Sequence, residues 1–119
     1  MNLQFIVREP ENITPQTQLL VMLHGYGSNE EDLFSFRHDL PKDWIIVSFR
    51  APKNSDYEGF SWYDIDFNNP EKFLDVDQAV DSMKLIMKSI DNLKHHYQLE
   101  SKTNIVGFSQ GGVLTYAMT

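Results

Sequence analysis

The sequence predicts an α/β protein, and three observations carry the prediction. Apolar runs closed by turn residues recur at residues 18–25, 44–52 and 103–109, the pattern of strands buried on both faces. Between the second and third runs, apolar residues recur at steps of three and four, as on one face of a helix. A helix-capping pattern also follows the first run. Strands alternating with helices in this way build a mostly parallel sheet covered on both faces.

Taken in order, "LQFIVRE" (Leu3 to Glu9) is β-prone and stops at Pro10, so it reads as a short peripheral strand followed by a loop through Pro15. "QLLVMLHG" (Gln18 to Gly25) is the central-strand candidate. Ser28 precedes Glu31 by three positions, a capping box that starts a short helix running from Asn29 towards His38. "WIIVSFRAP" (Trp44 to Pro52) is the second buried-type strand, closed by Ala51-Pro52 and followed by a long polar and aromatic loop.

Pro70 suits the first position of the next helix. Phe73, Val76, Val80, Met83, Ile86, Met87, Ile90 and Leu93 form its apolar stripe. That is a helix of about seven turns, ending near His95 to Gln98, with Met83 and Met87 read as core. "TNIVGFS" (Thr103 to Ser109) is the third buried-type strand, and "GGVLTYAMT" opens another helical pattern.

A chain of 119 residues accommodates one domain, residues 1–119. Its 41% apolar and 23% charged residues place it among soluble globular proteins. The formal charge is −7 and the basic residues are scattered, so nucleic-acid binding has no electrostatic support. With no cysteine, disulfides, a thiol nucleophile and a Cys-based zinc site are excluded. No leader pattern opens the sequence and no apolar run approaches the roughly 20 residues that span a bilayer, so a cytoplasmic protein is expected.

Gly107-Phe108-Ser109-Gln110-Gly111 matches G-x-S-x-G. In such a nucleophile elbow the serine sits on a strained strand-to-helix turn, and the glycines leave room for close backbone. Here the match follows a predicted strand and opens a predicted helix. The N–H of Gln110, at the helix N-terminus, is then placed to stabilise an oxyanion. The second donor of an oxyanion hole comes from the loop after an earlier central strand, and "LHGYGSN" is that loop, with the Tyr26 N–H as the donor. A serine between glycines can also be a plain tight turn; the paired His-Gly loop favours the nucleophile.

Other features admit two readings. His24, before Gly25, is either a general base or a support for the oxyanion loop, and its strand-end position favours support. His95-His96 point about 100° apart on a helix, which suits surface residues near a helix C-terminus better than metal ligands. In "GFSWYDID", Trp62 either packs the loop or lines an acyl pocket.

"LHGYGSNEEDL", "RAP" after the second strand, "SWYD" and "GFSQGG" together resemble the phospholipase/carboxylesterase family of α/β-hydrolases, which includes bacterial carboxylesterases and acyl-protein thioesterases. The resemblance implies an α/β-hydrolase fold and a serine hydrolase of carboxylic esters, some members acting on thioesters or lysophospholipids. It makes Ser109 the nucleophile, the N–H groups of Tyr26 and Gln110 the oxyanion hole, and the Trp62 region the neighbourhood of the acyl site. It implies no cofactor and no metal, a small-molecule ester as substrate, and a possible homodimer.

In this fold the triad runs Ser, then Asp or Glu, then His. After Ser109 only "QGGVLTYAMT" follows, with no acid or histidine. The expectation is therefore an N-terminal portion of a family member, inactive or nearly so alone, with the sheet edge beyond Ser109 unpaired. The competing readings are an acyl-thioesterase and a non-catalytic half-hydrolase that binds a ligand or a partner chain.

Overall fold

A computed structural model describes residues 3–55, 58–66, 68–69 and 74–118. Its strands are β1 (Phe5–Arg8), β2 (Leu19–Leu23), β3 (Ile45–Phe49), β4 (Lys53–Asn54), β5 (Phe60–Ser61) and β6 (Thr103–Gly107). Its helices are α1 (Glu30–Phe34), continued by a 3-10 turn at Ser35–Asp39, α2 (Val76–Tyr97) and α3 (Gln110–Met118). Strands β1, β3, β2 and β6 form one sheet in that spatial order, parallel except for β1. Sequence and structure thus agree on an α/β fold built on a mostly parallel sheet.

β2 and β3 are buried along their whole length because they lie inside the sheet and are covered on both faces. Leu19, Val21, Leu23, Ile45, Val47 and Phe49 face α2 and α3, where Ile86, Ile90, Leu93 and Leu114 close the core. Leu20, Met22 and Ile46 point the other way, onto Leu33, Phe34, Leu40 and Trp44. Each such side chain contributes about 1.5–3 kcal/mol on burial.

Four elements differ from expectation. The cap of α1 is Asn29, whose side chain accepts from the Glu31 N–H at 2.8 Å. Ser28 is instead bridged to Phe60 and donates its hydroxyl proton to Asp32. α2 starts at Val76, because Asp75 caps it by accepting from the Gln78 N–H at 3.0 Å; Pro70 and Phe73 lie outside the described residues. It ends at Tyr97, where Gln98 takes the left-handed conformation.

The buried face of α2 is also rotated from the one its apolar stripe predicts. Ala79, Ser82 and Ser89 are buried, whereas Val76, Val80 and Met87 are exposed. The reason is polar: Ser82 Oγ donates to the Trp62 carbonyl, and Ser89 Oγ accepts from the Leu3 N–H at 3.1 Å. Small hydroxyl side chains let the helix approach the sheet, and Met87 turns outward at 46% exposure instead of joining the core. Met83 remains half-buried against the core.

β6 is not buried on both faces. Among the described residues it pairs only with β2, and Val106 and Phe108 stay exposed. The long loop after β3, for its part, contains the small β4–β5 hairpin, with Lys53 opposite Ser61 and Asn54 opposite Phe60.

Candidate active site

The carboxyl ends of β2 and β6 lie side by side, because Leu23 pairs with Gly107. The chain therefore leaves the sheet at two adjacent points, through the loop 24–29 and through the turn that carries Ser109. Open α/β sheets bind ligands at this end of their strands.

Ser109 is exposed and has φ 55, in the left-handed region that a non-glycine residue enters at a cost of about 1 kcal/mol or more. Bonds on both sides over-determine it: Phe108 N–H donates to the Leu23 carbonyl at 3.1 Å, Gly111 N–H to the Phe108 carbonyl at 3.0 Å, and Val113 N–H to the Ser109 carbonyl at 3.0 Å. The glycines are required by close approach. A Cβ on Gly107 would stand 2.3 Å from the Gly111 carbonyl oxygen, and one on Gly111 would stand 2.1 Å from that of Leu23. Helix α3 thus begins directly on the end of β2, with its N-terminus at the serine turn.

The His-Gly loop meets this turn. A Cβ on Gly25 would lie 3.2 Å from the Cβ of Ser109. The loop is held by Gly27 N–H donating to the Phe60 carbonyl at 2.9 Å and Phe60 N–H donating to the Ser28 carbonyl at 2.8 Å. A recess of about 380 Å³ opens here, lined by residues 24–29, Asp32, Leu33, Phe108 and Ser109. A larger recess of about 580 Å³ lies away from Ser109, among Arg8, Glu11, His38 and Lys42.

The phospholipase/carboxylesterase family model matches residues 4–119. The chain belongs to the phospholipase/carboxylesterase family. Esterase PE8 superposes on 98% of the chain with a TM-score of 0.84 at 23% identity. The Bacillus cereus carboxylesterase covers 98% at 0.79 and 16% identity, and the Zea mays acyl-protein thioesterase 2 covers 93% at 0.67 and 21% identity. The chain spans 56, 52 and 48% of those three proteins, about half of each.

Within this phospholipase/carboxylesterase chain, the residues singled out in the sequence converge. Ser109, Gly25, Tyr26 and His24 share the recess, and Gln110 opens α3 beside it. His24 is fully buried and uses both ring nitrogens: Nδ1 lies 2.8 Å from the Gly25 carbonyl, and Nε2 accepts from the Ala51 N–H at 3.0 Å. Nδ1 therefore carries the proton and Nε2 the lone pair. Burial lowers its pKa below 6.5, opposed by the Gly25 carbonyl bond and by the Glu30 and Asp32 carboxylates. Both nitrogens of the neutral ring are thus engaged within the fold.

Trp62 is fully buried and does not line the recess. Its indole N–H donates to the His24 carbonyl at 2.8 Å, and its ring leans on the imidazole at 5.4 Å. His95 and His96 are exposed on the last turn of α2. Among the described residues, no helix is long and apolar enough to cross a membrane.

Sequence reasoning missed the side chain of Gln110. It is 3% exposed, and its carboxamide accepts from the Trp62 N–H and donates to the Tyr63 carbonyl, both at 2.7 Å. The available signal was a long polar side chain between Ser109 and two glycines, at a helix start packed onto a strand. Such a side chain needs partners when buried.

Proposed function

We propose that the chain carries the nucleophile and the oxyanion hole of a serine hydrolase of carboxylic esters. The observation that carries this reading is the exposed Ser109, at φ 55 in the turn immediately before α3, with the Gly25 backbone packed against it. Ser109 Oγ attacks the ester carbonyl carbon and gives its proton to a general base, while the N–H groups of Tyr26 and Gln110 receive the oxyanion. The tetrahedral adduct expels the alcohol, which takes up a proton, and water then hydrolyses the acyl-enzyme. The substrate is a small-molecule ester, no cofactor is required, and the cytoplasm is the default location of this reading.

The acid and the base are proposed to lie beyond Thr119. Residues 110–119 contain no Asp, Glu or His, and among the described residues no hydrogen bond joins the Ser109 hydroxyl to a histidine or a carboxylate. The residues that supply them would also cover the exposed Val106 on β6, Phe108 in the turn after it, and Val113 and Tyr116 on α3. Likeness to an acyl-protein thioesterase keeps a thioester substrate in competition, since the same oxyanion forms from either acyl group.

Hydrolysis of a chromogenic short-chain ester tests the reading. The 119-residue chain alone is expected near background, and a chain extended by the acid and base is expected to turn over in a Ser109-dependent manner. Robust turnover by the 119 residues, abolished by Ser109→Ala, would place the base within them. Turnover that survives Ser109→Ala in the extended chain would overturn the nucleophile. Comparing ester with acyl-thioester rates separates the two substrate classes.

A further inference from the structure

We infer that the segment from Phe60 to Tyr63 is a splint that fixes the two halves of the oxyanion hole relative to each other, with the Trp62 indole and the Gln110 carboxamide as positioning residues. Its catalytic consequence rests on the hydrolase reading above; its mechanics rest on geometry alone.

The segment touches both halves through polar groups. On one side, Phe60 exchanges backbone bonds with Gly27 and Ser28, and the Trp62 indole N–H holds the His24 carbonyl. His24 in turn ties the Gly25 carbonyl to the Ala51 N–H. On the other side, the Gln110 carboxamide accepts from the Trp62 backbone N–H and donates to the Tyr63 carbonyl. One four-residue segment therefore contacts the loop bearing the Tyr26 N–H and the residue bearing the Gln110 N–H.

Burial makes the arrangement stiff. Trp62 and His24 are fully buried and Gln110 nearly so. In such surroundings a displaced polar group finds no water to replace its partner, so the bonds move together or not at all. Ser82 adds a strut from below, donating its hydroxyl proton to the Trp62 carbonyl. The hydrogen bonds of the Gln110 side chain thus reach the loop 24–28 through Trp62.

Amide hydrogen exchange of the 119-residue chain tests the mechanics without requiring turnover. Gln110→Met removes both carboxamide bonds, and Trp62→Phe removes only the indole donor while keeping a ring in the core. Both variants are expected to speed exchange at the Gly27 and Phe60 amides about tenfold or more, with the Val21 and Val47 amides of the central strands unchanged. Unchanged Gly27 and Phe60 protection in Trp62→Phe would overturn the splint, as would acceleration spread equally over the central strands.

Kinetics of the extended, Ser109-dependent enzyme test the consequence. A thionoester presents sulfur to the oxyanion hole and accepts hydrogen bonds poorly, so the ester-to-thionoester ratio of kcat reports donor placement and is independent of the fraction folded. Trp62→Phe is expected to lower kcat for the ester about tenfold with KM little changed, and to compress that ratio. A fall in kcat at constant ratio would reduce Trp62 to a stabilising residue and overturn its positioning role. Turnover surviving Ser109→Ala would instead sink the hydrolase reading and leave the exchange result standing.

Discussion

Gly25 and Ser109 face each other so closely that a Cβ on the glycine would stand 3.2 Å from the Cβ of the serine and 3.3 Å from the Phe108 carbonyl oxygen. Two loops 84 residues apart in sequence are thereby fixed at one point, since β2 and β6 pair in register up to Leu23 and Gly107. Gly25→Ala is expected to fold, with Ser109 displaced by a few tenths of an ångström. In the extended enzyme this displacement should lower kcat about tenfold. Wild-type kcat in Gly25→Ala would show that the contact is not needed for catalysis.

Ser109 holds a backbone conformation that glycine adopts without penalty. Ser109→Gly is therefore expected to raise the unfolding free energy by roughly 0.5–1 kcal/mol while removing the Ser109 hydroxyl. Urea unfolding of the two chains measures this. A less stable Ser109→Gly would mean that the serine side chain contributes more than its backbone strain costs.

His24 gives a pH dependence of defined sign. Its folded-state pKa is lowered from 6.5, chiefly by burial. The stability carried by the neutral ring is therefore fully present above pH 6.5, and it is lost as pH falls from there through the folded-state value. Protonation would turn the Nε2 acceptor into a donor facing the Ala51 N–H. Glu30, Asp32 and Arg50 also act on the ring, the carboxylates favouring and the guanidinium opposing its charge. Unfolding free energies measured on both sides of pH 6.5 should fall more steeply towards acid in wild type than in His24→Gln. Parallel profiles would contradict the assignment.

The rotated face of α2 distinguishes neighbouring residues. Ile86 is fully buried, whereas Met87 is 46% exposed. Ile86→Ala is expected to cost about 2–5 kcal/mol, and Met87→Gln less than about 0.5 kcal/mol. Equal costs in thermal or denaturant unfolding would restore the face that the apolar stripe predicts.

These contrasts show what the sequence made legible. β2 and β3 could be read because strands covered on both faces carry unbroken apolar runs, and the tight strand-to-helix turn at Ser109 because its glycines stand where Cβ atoms would strike Leu23 and Gly111. The buried face of α2 could not, because Ser82 and Ser89 are inside for the sake of bonds to Trp62 and Leu3, partners distant in sequence. The cap of α1 moved to Asn29 because Phe60 claims the Ser28 backbone. Trp62 and Gln110 were both marked from the sequence, Gln110 for its N–H alone; that their side-chain and backbone groups bond each other follows only from the hairpin folding back over α3.

The account centres on Ser109 as the attacking atom of a site completed by the His-Gly loop. Its most direct test is covalent: the extended, hydrolytically competent chain is quenched during turnover of an aryl ester, and its peptides are mapped by mass spectrometry. The account predicts one acyl group on Ser109, absent in Ser109→Ala together with turnover. Turnover without an acylated Ser109 peptide, or with the acyl group on another residue, would contradict it.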